Sequence, residues 1–262
     1  MHRLAATTLI FAACAFGATT AEPNQSQIDD IIQKFAAKEA AFAQARENYT
    51  YRQTVKIHEL DDSGAVTGSW EMVSDIIFTP DGKRTEHVVR APMSTLHNIL
   101  LTPEDEQDLR SVQPFVLTTP ELPKYLIRYL GRQKVDEIGT YVFAVKPKKM
   151  EPGQRYFEGE VWVDDQDLQI VKTYGRGVGR VNKESNQFPK FETYREQIDG
   201  KYWFPTYTIA NDTLNFKDFS QRIRMSVRYE DYKQFKSNIK IQYGEPVKPE
   251  APNLAPQPPK PE

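Results

Sequence analysis

Residues Tyr156 to Tyr174 constrain the fold most, because they spell two alternating arms around a carboxylate-rich turn. In the first arm Phe157, Val161 and Val163 alternate with Glu158, Glu160 and Trp162. A period of two marks a strand with one buried face. Asp164-Asp165-Gln166-Asp167 breaks the pattern, and Leu168-Gln169-Ile170-Val171-Lys172-Thr173-Tyr174 returns. One face of such a hairpin is apolar and the other is charged and aromatic. That suits a curved antiparallel sheet cupped around something apolar, and it does not suit a catalytic cleft.

The rest of the chain supplies more strands and a few helices. Ser26 to Arg46 reads as one amphipathic helix, opened by a Ser26-x-x-Asp29 capping box and carrying Ile28, Ile31, Ile32, Phe35 and Phe42 on one stripe. From Tyr49 the period becomes two: Tyr49, Tyr51, Gln53, Val55 and Ile57 share one face, and Asp61-Asp62-Ser63-Gly64 turns the chain. Trp70 to Thr79 and Lys83 to Arg90 are the next strands, around Pro80-Asp81-Gly82. Thr102-Pro103-Glu104-Asp105-Glu106 predicts a short helix, with a cap, a first-turn proline and first-turn acids. Thr119-Pro120-Glu121 predicts another, running through Tyr125, Leu126, Tyr129 and Leu130 to Gly131. Phe115-Val116-Leu117, between them, fits a strand or a packed loop.

Strands dominate the second half. Gln133–Glu137 and Thr140–Lys146 flank Ile138-Gly139. Phe191–Ile198 and Lys201–Ala210 flank Asp199-Gly200, a strong hairpin signal, and Pro205 marks an edge strand or a bulge. In the last strand Ile223, Met225, Val227 and Tyr229 face one side, and Arg222, Arg224, Arg228 and Glu230 the other. After Tyr243 the composition collapses to Pro, Glu, Lys and Ala, which predicts a disordered tail over 245–262.

The amino terminus reads as an address. Met1-His2-Arg3, an apolar run from Leu4 to Ala18 and the small residues Thr19 and Ala21 predict a signal peptide over 1–21, cut after Ala21, and export to the periplasm. The run is shorter than the ~20 apolar residues of a spanning helix. Cys14, the only cysteine, sits in a lipobox-like context that offers the alternative of a lipid anchor. Cleavage after Ala21 removes it, leaving no thiol for a disulfide or metal site in the domain over 22–244. A formal charge of −2 lacks the basic surplus of a nucleic-acid binder, and the mature chain has no apolar run long enough to span a bilayer.

Chemistry-bearing motifs are weak throughout. His58, His87 and His97 lack the paired spacing of a zinc site, and no Gly-x-Ser-x-Gly elbow is present. Asp164 to Asp167 lacks the glycine and distal glutamate of a calcium loop. Gly175-Arg176-Gly177-Val178-Gly179-Arg180 follows a strand but precedes no helix, so it reads as a hairpin connection rather than a phosphate loop. These features point away from an enzyme, and no cofactor or metal is expected. The arginines of the last strand form either a solvated outer face or a stripe for docking a partner.

Tyr141-Val142-Phe143-Ala144-Val145-Lys146-Pro147, followed by the hairpin with Val161-Trp162-Val163-Asp164 at its centre, resembles the periplasmic outer-membrane lipoprotein-sorting, lipoprotein-carrier and sigma-factor-regulator superfamily. Phe191–Ile198 and Tyr202-Trp203-Phe204-Pro205 fall where that family continues its sheet. The segment from Pro92 to Gly131 departs from the pattern. The resemblance implies a mainly β fold: a strongly curved, unclosed antiparallel sheet, or half-barrel, lidded by the N-terminal helix and short inserted helices. It also implies a cavity for the acyl chains of a lipid or lipoprotein. The resemblance, joined to the large apolar and aromatic residues at alternating strand positions, implies a cavity that draws on the strands carrying Tyr51, Val55, Trp70, Met72, Ile76, Trp162, Trp203 and Met225, with Leu126 and Leu130 on the lid. Two alternatives stay open: the same residues could fill a packed core, and the protein could dock an envelope protein through its basic strand face.

Overall fold

In the computed structural model, which describes residues 22–79, 82–179 and 188–234, ten antiparallel strands form one sheet. The chain begins with helix α1 (Gln25–Arg46). Asn24, rather than Ser26, is its cap: the Asn24 side chain accepts from the Gln27 amide at 3.0 Å and Gln27 Oε1 accepts from the Asn24 amide at 2.9 Å. This reciprocal box satisfies two of the amides that a helix start leaves unpaired.

β1 (Tyr49–Leu60), β2 (Val66–Phe78) and β3 (Arg84–Arg90) form a meander. Then come α2 (Pro103–Gln107), a π-helical turn at Asp108–Val112 and a 3-10 turn at Leu122–Lys124. A second meander runs through β4 (Tyr125–Val135), β5 (Ile138–Pro147), β6 (Tyr156–Asp164), β7 (Ile170–Val178), β8 (Phe191–Gln197), β9 (Trp203–Asn215) and β10 (Ser220–Gln234). The two join where β1 pairs with β10, with Val55 opposite Val227 and Ile57 opposite Met225. β3 and β4 remain as edges, so the sheet does not close.

Strand alternation directs one face toward α1. Ile31, Phe35 and Ala36 of the helix pack with Val55, Phe143, Val161, Val163 and Val227 in the largest core cluster. The inward side of β6 is the one its alternation predicts: Phe157, Val161 and Val163 are essentially inaccessible. Pro205 sits at a register shift between β8 and β9, inside the sheet, so the bulge reading holds and the edge reading does not.

The Thr119–Gly131 helix is a correction. Its residues form the 3-10 turn and then edge strand β4, whose ladder with β5 runs from Tyr125 opposite Pro147 to Val135 opposite Ile138. Tyr125, Leu126, Tyr129 and Leu130 have a spacing that serves either period, and pairing with β5 decides it. Of the helices expected in the insert, the one at Thr102-Pro103 forms, with Thr102 Oγ1 accepting from the Asp105 amide at 3.3 Å. Phe115 and Leu117 are buried in a packed loop. The predicted signal over 1–21 with Cys14, the turn residues Pro80 and Asp81, Arg180 and the tail over 245–262 lie outside the described residues.

Candidate functional site

The cupped face is crossed by α1 and by the segment between β3 and β4. Leu109, Val112, Phe115 and Leu117 of that segment enter the core, and buried ion pairs hold its backbone there. Asp108 accepts from Arg155 Nε at 2.9 Å and Nη2 at 2.6 Å, with both side chains nearly inaccessible. This two-pronged geometry offsets the cost of removing both charges from water. Burial pushes the Asp108 pKa up, and Arg155 pulls it back. Gly177 is explained by the same pair: a Cβ there would lie 2.3 Å from both Arg155 Nη2 and Asp108 Oδ2. Gly175 to Val178 thus belong to strand β7 itself rather than to a hairpin connection, and Gly177 makes room there for an internal carboxylate.

A second buried pair ties α1 to the sheet. Arg195 Nη1 lies 3.1 Å from both oxygens of Glu39, and Glu39 Oε1 also accepts from the Ile170 amide at 3.2 Å. Arg195 Nη2 donates to the Phe115 carbonyl, and Thr193 Oγ1 donates to the Gln113 carbonyl at 2.9 Å. Burial raises the Glu39 pKa, opposed chiefly by Arg195. Glu59 does similar work at the opposite end, accepting from the amides of His97, Asn98 and Ile99 at 2.7–2.9 Å. Sequence reasoning missed these groups. One signal was present: Glu39 interrupts the apolar stripe between Phe35 and Phe42, a place where a charge must find a buried partner.

Below the loop that Glu59 holds lies a cavity of about 280 Å³. Ile57, Ile99, Leu101, Leu109, Ile223 and Met225 are among its apolar walls, and Leu100 and Phe219 line it while remaining exposed. Gln113 Nε2 donates to Met225 Sδ at 3.4 Å, whereas Gln113 Oε1 is buried with no donor among the described residues.

The expected site residues divide among three places. Tyr51, Val55, Trp70, Met72, Ile76 and Met225 lie on the cupped face, where Val55 and Ile76 are buried in packed core and Met225 reaches the apolar cavity. Trp162 and Trp203 lie on the outer face, in a small cluster with Val142 and Val171. There Trp162 Nε1 donates to Gln133 Oε1 at 3.0 Å and Trp203 Nε1 to Asp167 Oδ2 at 2.8 Å. Leu126 and Leu130 point to solvent from β4, at 48% and 39% exposure, so they form no lid. The inward residues of β4 are Tyr125, Ile127 and Tyr129.

Other expected features are structural. Asp164, Asp165 and Asp167 serve their own turn and its neighbours, with Asp165 3.2 Å from Arg132. Arg222, Arg224 and Arg228 face outward and are exposed; Arg222 donates to the Asp62 carbonyl at 2.9 Å. Among the described residues, no group of His, Cys, Asp and Glu is arranged to hold a metal ion, and no helix is long and apolar enough to cross a membrane.

No protein-family model matches this chain, and no curated protein matches it significantly. Solved structures do. A DUF1329 family protein from Desulfovibrio piger is 14% identical, over 79% of this chain and 93% of its own, with a TM-score of 0.43. An outer membrane lipoprotein-sorting protein domain from Vibrio parahaemolyticus is 12% identical over 76% and 92%, with a TM-score of 0.35. MucB is 13% identical over 79% and 94%, with a TM-score of 0.28. At these identities and scores the likeness is loose.

Proposed function

We propose that this protein is a non-catalytic periplasmic binder of the apolar chains of a lipid or lipoprotein, of the outer-membrane lipoprotein-sorting type. The observation that carries the reading is the apolar cavity beneath the 98–102 loop, with exposed Leu100 and Phe219 on its walls. Its volume approaches the lower end of the ~300–1,000 Å³ usual for ligand pockets. Each methylene buried there contributes about 0.8 kcal/mol, so a chain of a few carbons suffices for reversible exchange. The site is narrower than alternation implies, because α1 and the insert occupy the centre of the cup. Periplasmic location rests on the signal-like segment before Glu22, with a lipid anchor through Cys14 as its alternative.

N-Phenyl-1-naphthylamine, an uncharged fluorescent probe, tests this. Saturable uptake by the mature protein is expected, displaced by phospholipid and weakened at least tenfold by Leu100→Glu with Phe219→Glu. Leu126→Glu, on the outer side of β4, should leave uptake unchanged. Native mass spectrometry of protein from the envelope should show co-purified lipid. Neither uptake nor lipid would favour the second reading, a docking module for an envelope protein, which the exposed Arg222, Arg224 and Arg228 support.

A further inference from the structure

The insert divides the cupped face in two. Leu109 and Gln113 wall the apolar cavity, while Ser111 and Pro114 wall another, of about 500 Å³, that shares no residue with the first. Its chemistry is different. Arg46 from the end of α1, Arg84 from β3 and Arg110 from the π-helical turn all line it, against the carboxylates of Glu47 and Glu86. Glu86 is occupied, at 3.2 Å from Arg84 and 4.0 Å from Arg110.

The two inner arginines differ in how far they are paired. Arg84 donates from Nη1 to Glu86 at 3.2 Å and from Nη2 to Gln53 Oε1 at 2.8 Å, and its Nε is buried with no acceptor among the described residues. The Arg46 side chain makes no hydrogen bond and no close ion pair with any described residue, although it is half-buried; burial depresses its pKa, opposed by the more distant Tyr51, Glu39 and Glu47. A helix C-terminus favours a cation, but a guanidinium partly removed from water ordinarily finds an anion. Beside it the wall is aromatic: the Tyr51 and Tyr232 rings lie 5.1 Å apart, and those of Phe204 and Tyr232 4.8 Å.

We propose that this cavity binds an organic anion, with a carboxylate or phosphate against Arg46 and Arg84 and a flat apolar body among Tyr51, Phe204 and Tyr232. Arginine suits either acid because its planar fork matches two oxygens at once. The site does not depend on the apolar-chain reading, since its walls and its recognition chemistry are separate.

The test uses 8-anilinonaphthalene-1-sulfonate with the mature protein. Saturable binding is expected, weakened tenfold or more by Arg46→Gln and partly retained by Arg46→Lys. Ser111→Glu, at an exposed position, places a carboxylate on the same wall and should weaken binding comparably without disturbing the fold. 2-Naphthoate and 2-naphthyl phosphate should displace the probe, the better of the two identifying the acid, and 2-naphthol should not. Uptake of N-phenyl-1-naphthylamine should be the same in Arg46→Gln as in wild type. Undiminished sulfonate binding in both Arg46→Gln and Ser111→Glu would overturn the proposal, as would displacement by 2-naphthol as effective as by 2-naphthoate.

Discussion

The β6–β7 hairpin and the insert between β3 and β4 bury their side chains in the same core by opposite means. In the hairpin, ladder pairing fixes the backbone and alternation does the rest, sending Phe157, Val161 and Val163 inward and Trp162 outward. In the insert, Leu109, Val112, Phe115 and Leu117 are buried although none lies on a strand. Its backbone is held instead by Asp108 on Arg155 and by Arg195 on the Phe115 carbonyl. Repetition positions the first region. A few buried charges position the second, and they also leave cavities on either side of it.

That contrast can be broken most forcefully at Val161. Val161→Asp would bury a carboxylate without a partner and should cost about 4 kcal/mol or more in chemical denaturation. Asp165→Ala, in the adjoining turn, should cost less than about 1 kcal/mol. Similar losses for the two would mean that the inward register of β6 is wrong.

In the insert, Asp108→Ala should cost about 3–5 kcal/mol, because Arg155 would be left buried and unpaired. Replacing both, as Asp108→Leu with Arg155→Met, should recover most of that loss. If the single variant proved as stable as wild type, the insert would be held by its apolar residues alone. A smaller effect belongs to the outer face, where Trp162→Phe removes the hydrogen bond to Gln133 and weakens the contact with Lys172. About 1 kcal/mol is expected, and a loss as large as that of Val161→Asp would make the outer cluster a second core.

The gentlest probe is alkaline pH. Tyr125 packs edge-on against Phe115, joining β4 to the insert, and burial pushes its pKa up to about 12. The neutral phenol is therefore favoured in the folded state. Its contribution is complete below pH ~10, the unfolded value, and is lost as pH rises toward about 12. Thermal melts across that window, with tyrosinate absorbance, should show this decline. Tyr125→Phe should reduce it, and an undiminished decline would assign it to other tyrosines.

Much of the fold was legible because strands and amphipathic helices write their periods into adjacent residues. The stripe on α1, the inward side of β1, β6 and β10, and the turns at Asp61–Gly64 and Asp199–Gly200 follow from the order of residues alone. Alternation groups residues by side, but it leaves open which neighbour each side will meet. Trp162 and Trp203 are large and apolar, yet the outer face has its own small cluster for them. Leu126 and Leu130 satisfy a helical spacing as well as a strand's, and only pairing with β5 settles it. The pairing of β1 with β10, the Glu39–Arg195 and Asp108–Arg155 contacts and the division of the cup arise between residues far apart in the chain. No local period encodes them, because they exist only where the curved sheet, α1 and the insert pack against one another.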